Sequence, residues 1–411
     1  MKIAIINVYC QHGSTGKAVL RQYKQLKKLG HEVRIYYGSN KQEIDDQDIE
    51  YFGNRYVNYI HMLISKYLGL TGLLSNSTTG LLLRRLKKYQ PDIVWLKGLH
   101  GYYLNEFRLL KFLKKSDIMT IYGMPDEYAF CGKCCSAYNC EKYKSGCRNC
   151  PHLRDYPSSL VFDNSTLIFN LKKKAYSGFD KIVFRSAPYV ISKARESILL
   201  KDKELVESDS SVDVSGIFYP RNTADIRKEL GIDKEKKVVL LCAPYADVLK
   251  GGKYYMEAAR RCKGDNIVFL NVNYAYDESI CPSNFIALPY ERNQNKLAEY
   301  YSLADAYVCT SISDAQPNTC LEALGCGTPI VGFNTSGVPF IAPNEFGTFV
   351  EPFDVGKLVD AIRATPRKTP ESIQACHKYA MSRFSLEASE RRFREFIADI
   401  CRRVEQDKIK N

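Results

Sequence analysis

Residues 311–333 read SISDAQPNTCLEALGCGTPIVGF. The apolar run Ala306–Thr310 before them predicts a strand, and the polar, proline-containing stretch to Pro317 predicts a loop. A helix is expected from Asn318 or Thr319 through Leu324, and a second strand over Pro329–Phe333. Strand, loop, helix and strand in this order form one unit of a parallel sheet covered by helices. A helix start after a strand offers backbone N–H groups and partial positive charge, which suits a diphosphate. Asp314 in the loop and Glu322 in the first part of the helix can both project above the strand ends. Thr319 to Glu322 also fits a capping box, in which the carboxylate serves its own helix end, and the spacing leaves both readings open.

The same alternation runs outward in both directions. Lys2–Tyr9 reads as a strand, Gln11–Gly16 as a glycine-containing loop, Lys17–Leu29 as a helix closed by Gly30, and Glu32–Tyr37 as the next strand. Strands return at Asp92–Leu96, Ile118–Tyr122 and Lys181–Phe184. Lys201–Ser211 is charged and serine-rich without a period, and reads as an interdomain linker. A second series follows, with strands at Lys237–Cys242, Asn266–Asn271 and Phe285–Ala287 and helices at Tyr254–Cys262 and Gln294–Leu303. Leu386–Val404 is a long charged amphipathic helix. The expected architecture is α/β. A doubly wound domain over 1–212 and a second over 213–378 face each other across a cleft, with a C-terminal helical segment, 379–411, packing back on the first. Ligand is expected at the carboxyl ends of the strands.

At 411 residues the chain is long enough for two or three domains. Its 45% hydrophobic and 26% charged residues argue against extended disorder. No run approaches the ~20 apolar residues of a membrane span, and the N-terminal apolar run is too short for a signal peptide, so an intracellular protein is expected. The net charge of +13 implies an anionic partner. Residues 51–115 carry eleven Lys or Arg against Asp92 and Glu106, so nine of the thirteen excess charges fall in that segment. There Tyr59, Ile60, Leu63, Ile64, Tyr67 and Leu68 recur at helical steps, and Leu81–Leu83 leads into Arg84, Arg85, Lys87 and Lys88. Such a surface suits an anionic membrane leaflet, unless the apolar face packs into the domain's own core.

Of the fifteen cysteines, nine stand singly in segments that read as buried. The other six lie in FCGKCCSAYNCEKYKSGCRNCP, residues 130–151. Cys134, Cys140, Cys147 and Cys150 supply four thiolates with one C-x2-C, the chemistry of a structural zinc site, with Cys131 and Cys135 spare. Lys133, Lys142, Lys144 and Arg148 would offset the thiolate charge. Disulfides, an iron–sulfur cluster or free thiols are the alternatives. A zinc-containing nucleic-acid-binding protein is the rival function, but no zinc-finger, RRM or helix-turn-helix signature accompanies the loop, and no nucleic acid is expected.

The segment from Asp314 to Val331 resembles the E-x7-E region of retaining family-4 glycosyltransferases, with Asp314 in place of the first glutamate and Glu322 as the second. Pro317-Asn318-Thr319 and Glu322–Val331 are similar to the branch that builds bacterial surface polysaccharides, of the colanic-acid type. The resemblance implies a GT-B fold of two Rossmann-like domains, with a Cys-rich loop, 131–150, inserted in the first. It also implies transfer of a sugar from a nucleotide-sugar to a glycan or lipid-linked acceptor, with no cofactor for catalysis. Glu322 would bind the donor ribose, and Asp314 would face the transferred sugar. Lys250, in Lys250-Gly251-Gly252, sits where relatives place a phosphate-binding lysine that stabilises the departing diphosphate. Asn318 and Thr319 at the helix start, with Gly13, Ser14 and Gly16 of the Gly13–Lys17 loop, would complete the donor site. His100, in a histidine-glycine element, and Asp126 join the catalytic set. Two departures stand out. Pro125 replaces the histidine that relatives place before Asp126, and Tyr245 replaces an arginine five residues before Lys250. A catalytically silent nucleotide-sugar-binding relative is therefore the alternative. The cysteine pattern recurs in the same branch, which implies a built-in loop rather than a separate domain. A cytoplasmic protein, peripheral on the inner face of the cell membrane, is the expected setting.

Overall fold

The computed structural model describes residues 1–410, and the side chains of Ser14 and Lys410 lie outside what it describes. The chain forms two compact units, Met1–Ser208 together with the residues from Ile397 on, and Asp209–Phe396.

Unit 1 opens with β1 (Lys2–Asn7), α1 (Gly13–Lys28), β2 (Glu32–Tyr37) and β3 (Ile49–Tyr51). It continues with α2 (Arg55–Leu68), α3 (Asn76–Tyr89), β4 (Ile93–Lys97), α4 (Glu106–Lys115) and β5 (Met119–Gly123). After the Cys-rich loop come α5 (Ser165–Tyr176), β6 (Ile182–Ser186), α6 (Pro188–Glu196) and β7 (Glu204–Glu207). The strands form one parallel sheet in the order β3-β2-β1-β4-β5-β6-β7, so the direction of travel reverses between β1 and β4. Ile3 to Ile6 of β1 are fully buried, as expected of a central parallel strand covered on both faces. β7 lies inside the stretch read as linker. Its Glu-Leu-Val-Glu sequence, half-buried in the middle and charged at both ends, belongs to an edge strand, and so short a pattern does not register as periodic. α1 also starts earlier than expected. His12 is its N-cap, which puts Gly13 and Gly16 inside the first turn. A Cβ on Gly16 would lie 3.0 Å from the Gln11 backbone nitrogen, so that glycine is fixed by a close approach.

Unit 2 contains α7 (Ala224–Glu229), β8 (Lys237–Cys242), α8 (Gly252–Arg261), β9 (Ile267–Val272), β10 (Phe285–Leu288) and α9 (Gln294–Leu303). β11 (Ala306–Cys309), α10 (Asn318–Gly325), β12 (Ile330–Phe333), β13 (Gly347–Val350), α11 (Val355–Ala364) and α12 (Pro370–Phe384) complete it. Its strands are parallel in the order β10-β9-β8-β11-β12-β13, the doubly wound arrangement with its switch point between β8 and β11. Strand alternation divides the core into two layers. Val238 and Leu240 of β8 pack with Ala298, Leu321, Leu324 and Cys376, while Val239 and Leu241 pack with Tyr255, Ala258, Leu358 and Ile362. Each such buried aliphatic side chain contributes roughly 1.5–3 kcal/mol of hydrophobic transfer. The last helix, α13 (Leu386–Lys410), starts in unit 2 and joins unit 1 from Ile397. Among the described residues no helix is long and apolar enough to cross a membrane.

Candidate active site

In unit 2 the two strands that flank the switch point deliver the site. Lys250 stands in the β8–α8 loop and Asp314 in the β11–α10 loop, and the Lys250 ammonium is 2.7 Å from the Asp314 carboxylate. Neighbouring backbone holds both loops. The Ile312 N–H donates to the Leu249 carbonyl (2.8 Å), the Thr310 hydroxyl to the Lys250 carbonyl (3.0 Å), and the Gly337 N–H to the Asp314 carbonyl (2.8 Å). Gly251 has φ +69°, and a Cβ there would strike the Thr310 carbonyl oxygen at 2.2 Å, so only glycine admits this turn. Burial works against the Lys250 ammonium, but the Asp314 carboxylate outweighs it by hydrogen bond and charge, and holds the lysine pKa above its ordinary value.

Glu322 does not cap its own helix. Pro317 is the N-cap of α10, with no side-chain capping bond, which shifts Thr319 and Glu322 out of capping register. The Glu322 carboxylate instead accepts a 2.8 Å hydrogen bond from the Tyr301 hydroxyl of α9. Burial raises the Glu322 pKa, and the Tyr301 bond partly opposes it. Asn318 is exposed and Thr319 half-buried at the helix start, where backbone N–H groups favour an anion. Tyr245, where the resemblance implies an arginine, joins an aromatic cluster with Tyr274 and Tyr276, its ring centroid 4.7 Å from that of Tyr276.

In unit 1 the predicted residues also gather at the carboxyl ends of the strands, Gly13 and Gly16 after β1, His100 after β4, and Asp126 after β5. His100 Nε2 is 3.6 Å from Asp126 Oδ2. The other Asp126 oxygen accepts the Tyr128 N–H at 2.9 Å, and the His100 ring lies among those of Tyr128 and Tyr156. Pro125, where the resemblance implies a histidine, is exposed. His100 is thus the imidazole paired with Asp126. The sequence did not mark Cys135 as its third neighbour. Its sulfur, His100 and Asp126 present ligand atoms all within 4.8 Å of one another.

The remaining five thiols of the loop, Cys131, Cys134, Cys140, Cys147 and Cys150, line one pocket, but the four predicted ligand sulfurs do not all come within 4.8 Å of one another. The Gly132 N–H donates to Cys147 Sγ at 3.1 Å, and Cys134 is hydrogen-bonded to both Cys131 and Cys150. The loop lysines do less charge compensation than expected. Lys133 donates to the carbonyls of His152, Leu153 and Asp155 at 3.0–3.1 Å, and Lys144 pairs with Glu141 and Glu196. A buried Glu127–Lys193 ion pair at 2.8 Å ties the loop to α6.

The comparisons bear on the fold. Residues 282–383 match the family described as Glycosyl transferases group 1. The putative colanic acid biosynthesis glycosyl transferase WcaC of Escherichia coli K12 is 22% identical over 316 residues, covering 72% of this chain and 71% of WcaC. Among solved structures, the lipopolysaccharide outer core galactosyltransferase WaaB superposes with a TM-score of 0.64 at 11% identity, over 97% of this chain and 99% of WaaB. HepE of Anabaena in complex with UDP gives 0.63 at 12% identity, over 97% and 100%. WaaG, a glycosyltransferase involved in lipopolysaccharide biosynthesis, gives 0.58 at 16% identity, over 95% and 98%.

Proposed function

We propose that this chain, a GT-B glycosyltransferase with a group 1 domain over residues 282–383, moves a sugar with retention from a nucleotide-sugar to an acceptor hydroxyl in surface-polysaccharide or lipid-linked glycan assembly. The observation that carries the reading is the Lys250–Asp314 pair beside the uncapped start of α10 at the switch point of the second sheet. A diphosphate there meets an ammonium and backbone N–H groups, and the ammonium stabilises charge that grows on the leaving phosphate. Glu322, off its own helix end, is available to the ribose hydroxyls. HepE was solved with UDP, which supports a uridine diphosphate donor. Retention is assigned to same-face substitution, the departing phosphate taking the acceptor proton. His100, 3.6 Å from Asp126, is the imidazole that stands in for the one Pro125 cannot supply.

Two further parts belong to this reading. A structural zinc outside the chemistry would draw Cys134, Cys140, Cys147 and Cys150 together as its ligands, since among the described residues their sulfurs do not all lie within 4.8 Å of one another. A lipid-linked acceptor is met through α2, which is inside out. Its buried positions are polar, His61 and Ser65, while Tyr56, Tyr59, Ile60 and Tyr67 face solvent, Ile60 at 54% exposure. Leu160 and Phe162 bond through their N–H groups to the carbonyls of Lys66 and Tyr67, which extends the apolar surface with Val161. α2 carries Arg55 and Lys66 and no acid, so the surface suits an anionic leaflet.

The deciding experiment is a panel of nucleotide-sugars offered to the purified chain, with calorimetry of UDP, GDP and ADP alongside. Turnover of one donor is expected. Nucleotide binding without hydrolysis or transfer of any sugar would leave a silent relative, and absence of nucleotide binding would overturn the assignment.

A further inference from the structure

Cys135 meets two side chains that follow different strands of unit 1. His100 Nε2 lies 3.6 Å from Asp126 Oδ2, beyond hydrogen-bond reach, and the Cys135 thiol is hydrogen-bonded to Asp126. Among the described residues no other set of three or more His, Cys, Asp or Glu side chains brings its ligand atoms within 4.8 Å of one another. The fold builds this group from its surroundings. The Glu127 N–H donates to the Cys135 carbonyl at 3.0 Å, and the Glu127 carboxylate accepts the Ala137 N–H at 2.7 Å. The Lys193 ammonium, 2.8 Å away, anchors that carboxylate, so residues 135–137 are strapped to the neighbour of Asp126. Asp126 Oδ1 accepts the Tyr128 N–H at 2.9 Å, which fixes its other oxygen on the His100 side. The His100 ring is held by those of Tyr128 and Tyr156, with centroids 5.1 and 5.6 Å away. The His100 and Asp126 side chains keep 15% and 23% exposure, so the group is ordered by the fold yet reached from solvent.

Imidazole and thiolate together select zinc-like cations over magnesium or calcium, and a carboxylate completes a common zinc donor set. The thiolate and the carboxylate carry two negative charges, which one dication neutralises. Ligands of a tetrahedral zinc lie about 3.3–3.8 Å from one another, so this group closes on a cation with side-chain shifts of about an ångström. We propose that His100, Asp126 and Cys135 hold one divalent cation of the zinc class, which takes the place of the Cys135 thiol proton and keeps a fourth position open to an oxygen ligand. Three protein ligands with an open position form the pattern of reactive rather than structural zinc. The group stands past the carboxyl ends of β4 and β5, where a parallel sheet of this kind binds its ligands. A sugar hydroxyl would reach His100 through the cation, a consequence that rests on the glycosyl-transfer reading, whereas the cation site itself does not.

The test adds zinc, cobalt or magnesium ions to the purified full chain in separate calorimetric titrations, with visible absorption recorded for cobalt. Three protein ligands hold a metal less tightly than four, so this site fills from added metal and is counted beyond any zinc that the thiol loop carries from purification. The expected result is one further equivalent of zinc or cobalt per chain, with a thiolate-to-cobalt charge-transfer band, and none of magnesium. His100→Ala and Cys135→Ser should each weaken binding at least about tenfold, as should Asp126→Asn, whose amide oxygen keeps the Tyr128 N–H bond. His100 lies outside the loop, so His100→Ala should keep the loop's own zinc. Its melting temperature should match the wild type without added metal, and added zinc should raise that of the wild type alone. No further equivalent in the wild type, or equal binding by His100→Ala, overturns the proposal, and magnesium bound in place of zinc overturns the cation class. No nucleotide enters these titrations, so a failure to bind UDP falls on the donor assignment alone.

Discussion

Replacing Glu322 by Gln separates binding from folding at one carboxylate. The side chain keeps its shape, and its oxygen still accepts from the Tyr301 hydroxyl, 2.8 Å away in the parent. What is lost is charge. A hydrogen bond to a charged group contributes about 1.5–3 kcal/mol against about 1 for a neutral one, so the ribose contact should weaken by about 0.5–2 kcal/mol, or roughly 2–30-fold in UDP affinity. Stability should move the other way. Burial raises the Glu322 pKa above its unfolded value, so the folded chain binds more protons than the unfolded one over that interval. The ionised carboxylate therefore costs stability that is lost as pH climbs through the folded pKa, and a neutral amide removes the cost at pH 7. Calorimetry with UDP and a thermal melt read the two effects together. Unchanged UDP affinity with a lower melting temperature would refute the reasoning and leave Glu322 a structural partner of Tyr301 only.

Lys250→Ala should lower kcat about 10²–10³-fold in a donor-turnover assay, as for loss of one oxyanion-stabilising donor. Its melting temperature should hardly move, because a half-exposed ion pair contributes about 0–1 kcal/mol. His61 is 1% exposed and burial drives its pKa down to about 4. The unfolded chain then binds the extra proton below about 6.5, and stability should fall by about 3 kcal/mol between there and pH 4. Urea titrations at stepped pH, with His61→Gln as the variant that loses this slope, check it. Metal analysis should find about one zinc per chain, and Cys147→Ser should release it and unfold the loop; a full complement of zinc in that variant would move the metal elsewhere. Vesicles containing phosphatidylglycerol should sediment the wild type at low salt, and Ile60→Glu with Val161→Glu should abolish this at an unchanged melting temperature. Equal recovery with neutral and anionic vesicles would leave the apolar face to a protein partner.

Much of this was legible in the chain because parallel strands write themselves as unbroken apolar runs. KVVLLC and AYVC place β8 and β11, and their following loops place Lys250 and Asp314 on the two sides of the switch point. Local rules failed where a neighbour decided the outcome. Thr319 and Glu322 have capping-box spacing, yet Pro317 takes the cap and moves the register. Gly13 and Gly16 look like a loop because glycine disfavours helix, yet α1 begins there and the tight contact to Gln11 explains Gly16. α2 shows helical periodicity plainly, but the pattern does not say which side faces in, and here the polar side does. The place of Cys135 was invisible for another reason. It stands beside Cys134 in the chain, and only the bonds that Glu127 makes in the folded loop bring it to His100 and Asp126.

The division of α13 between the two units has a consequence for how the protein is made. Lys181 bonds Asp407, Arg403 bonds Glu204, and Lys408 bonds Asp92, so the sheet of unit 1 is braced by residues translated after all of unit 2. Synthesis from the N-terminus therefore leaves the earlier unit waiting, its strands complete but one flank bare, until the final helix leaves the ribosome. The order of completion is the reverse of the order of birth.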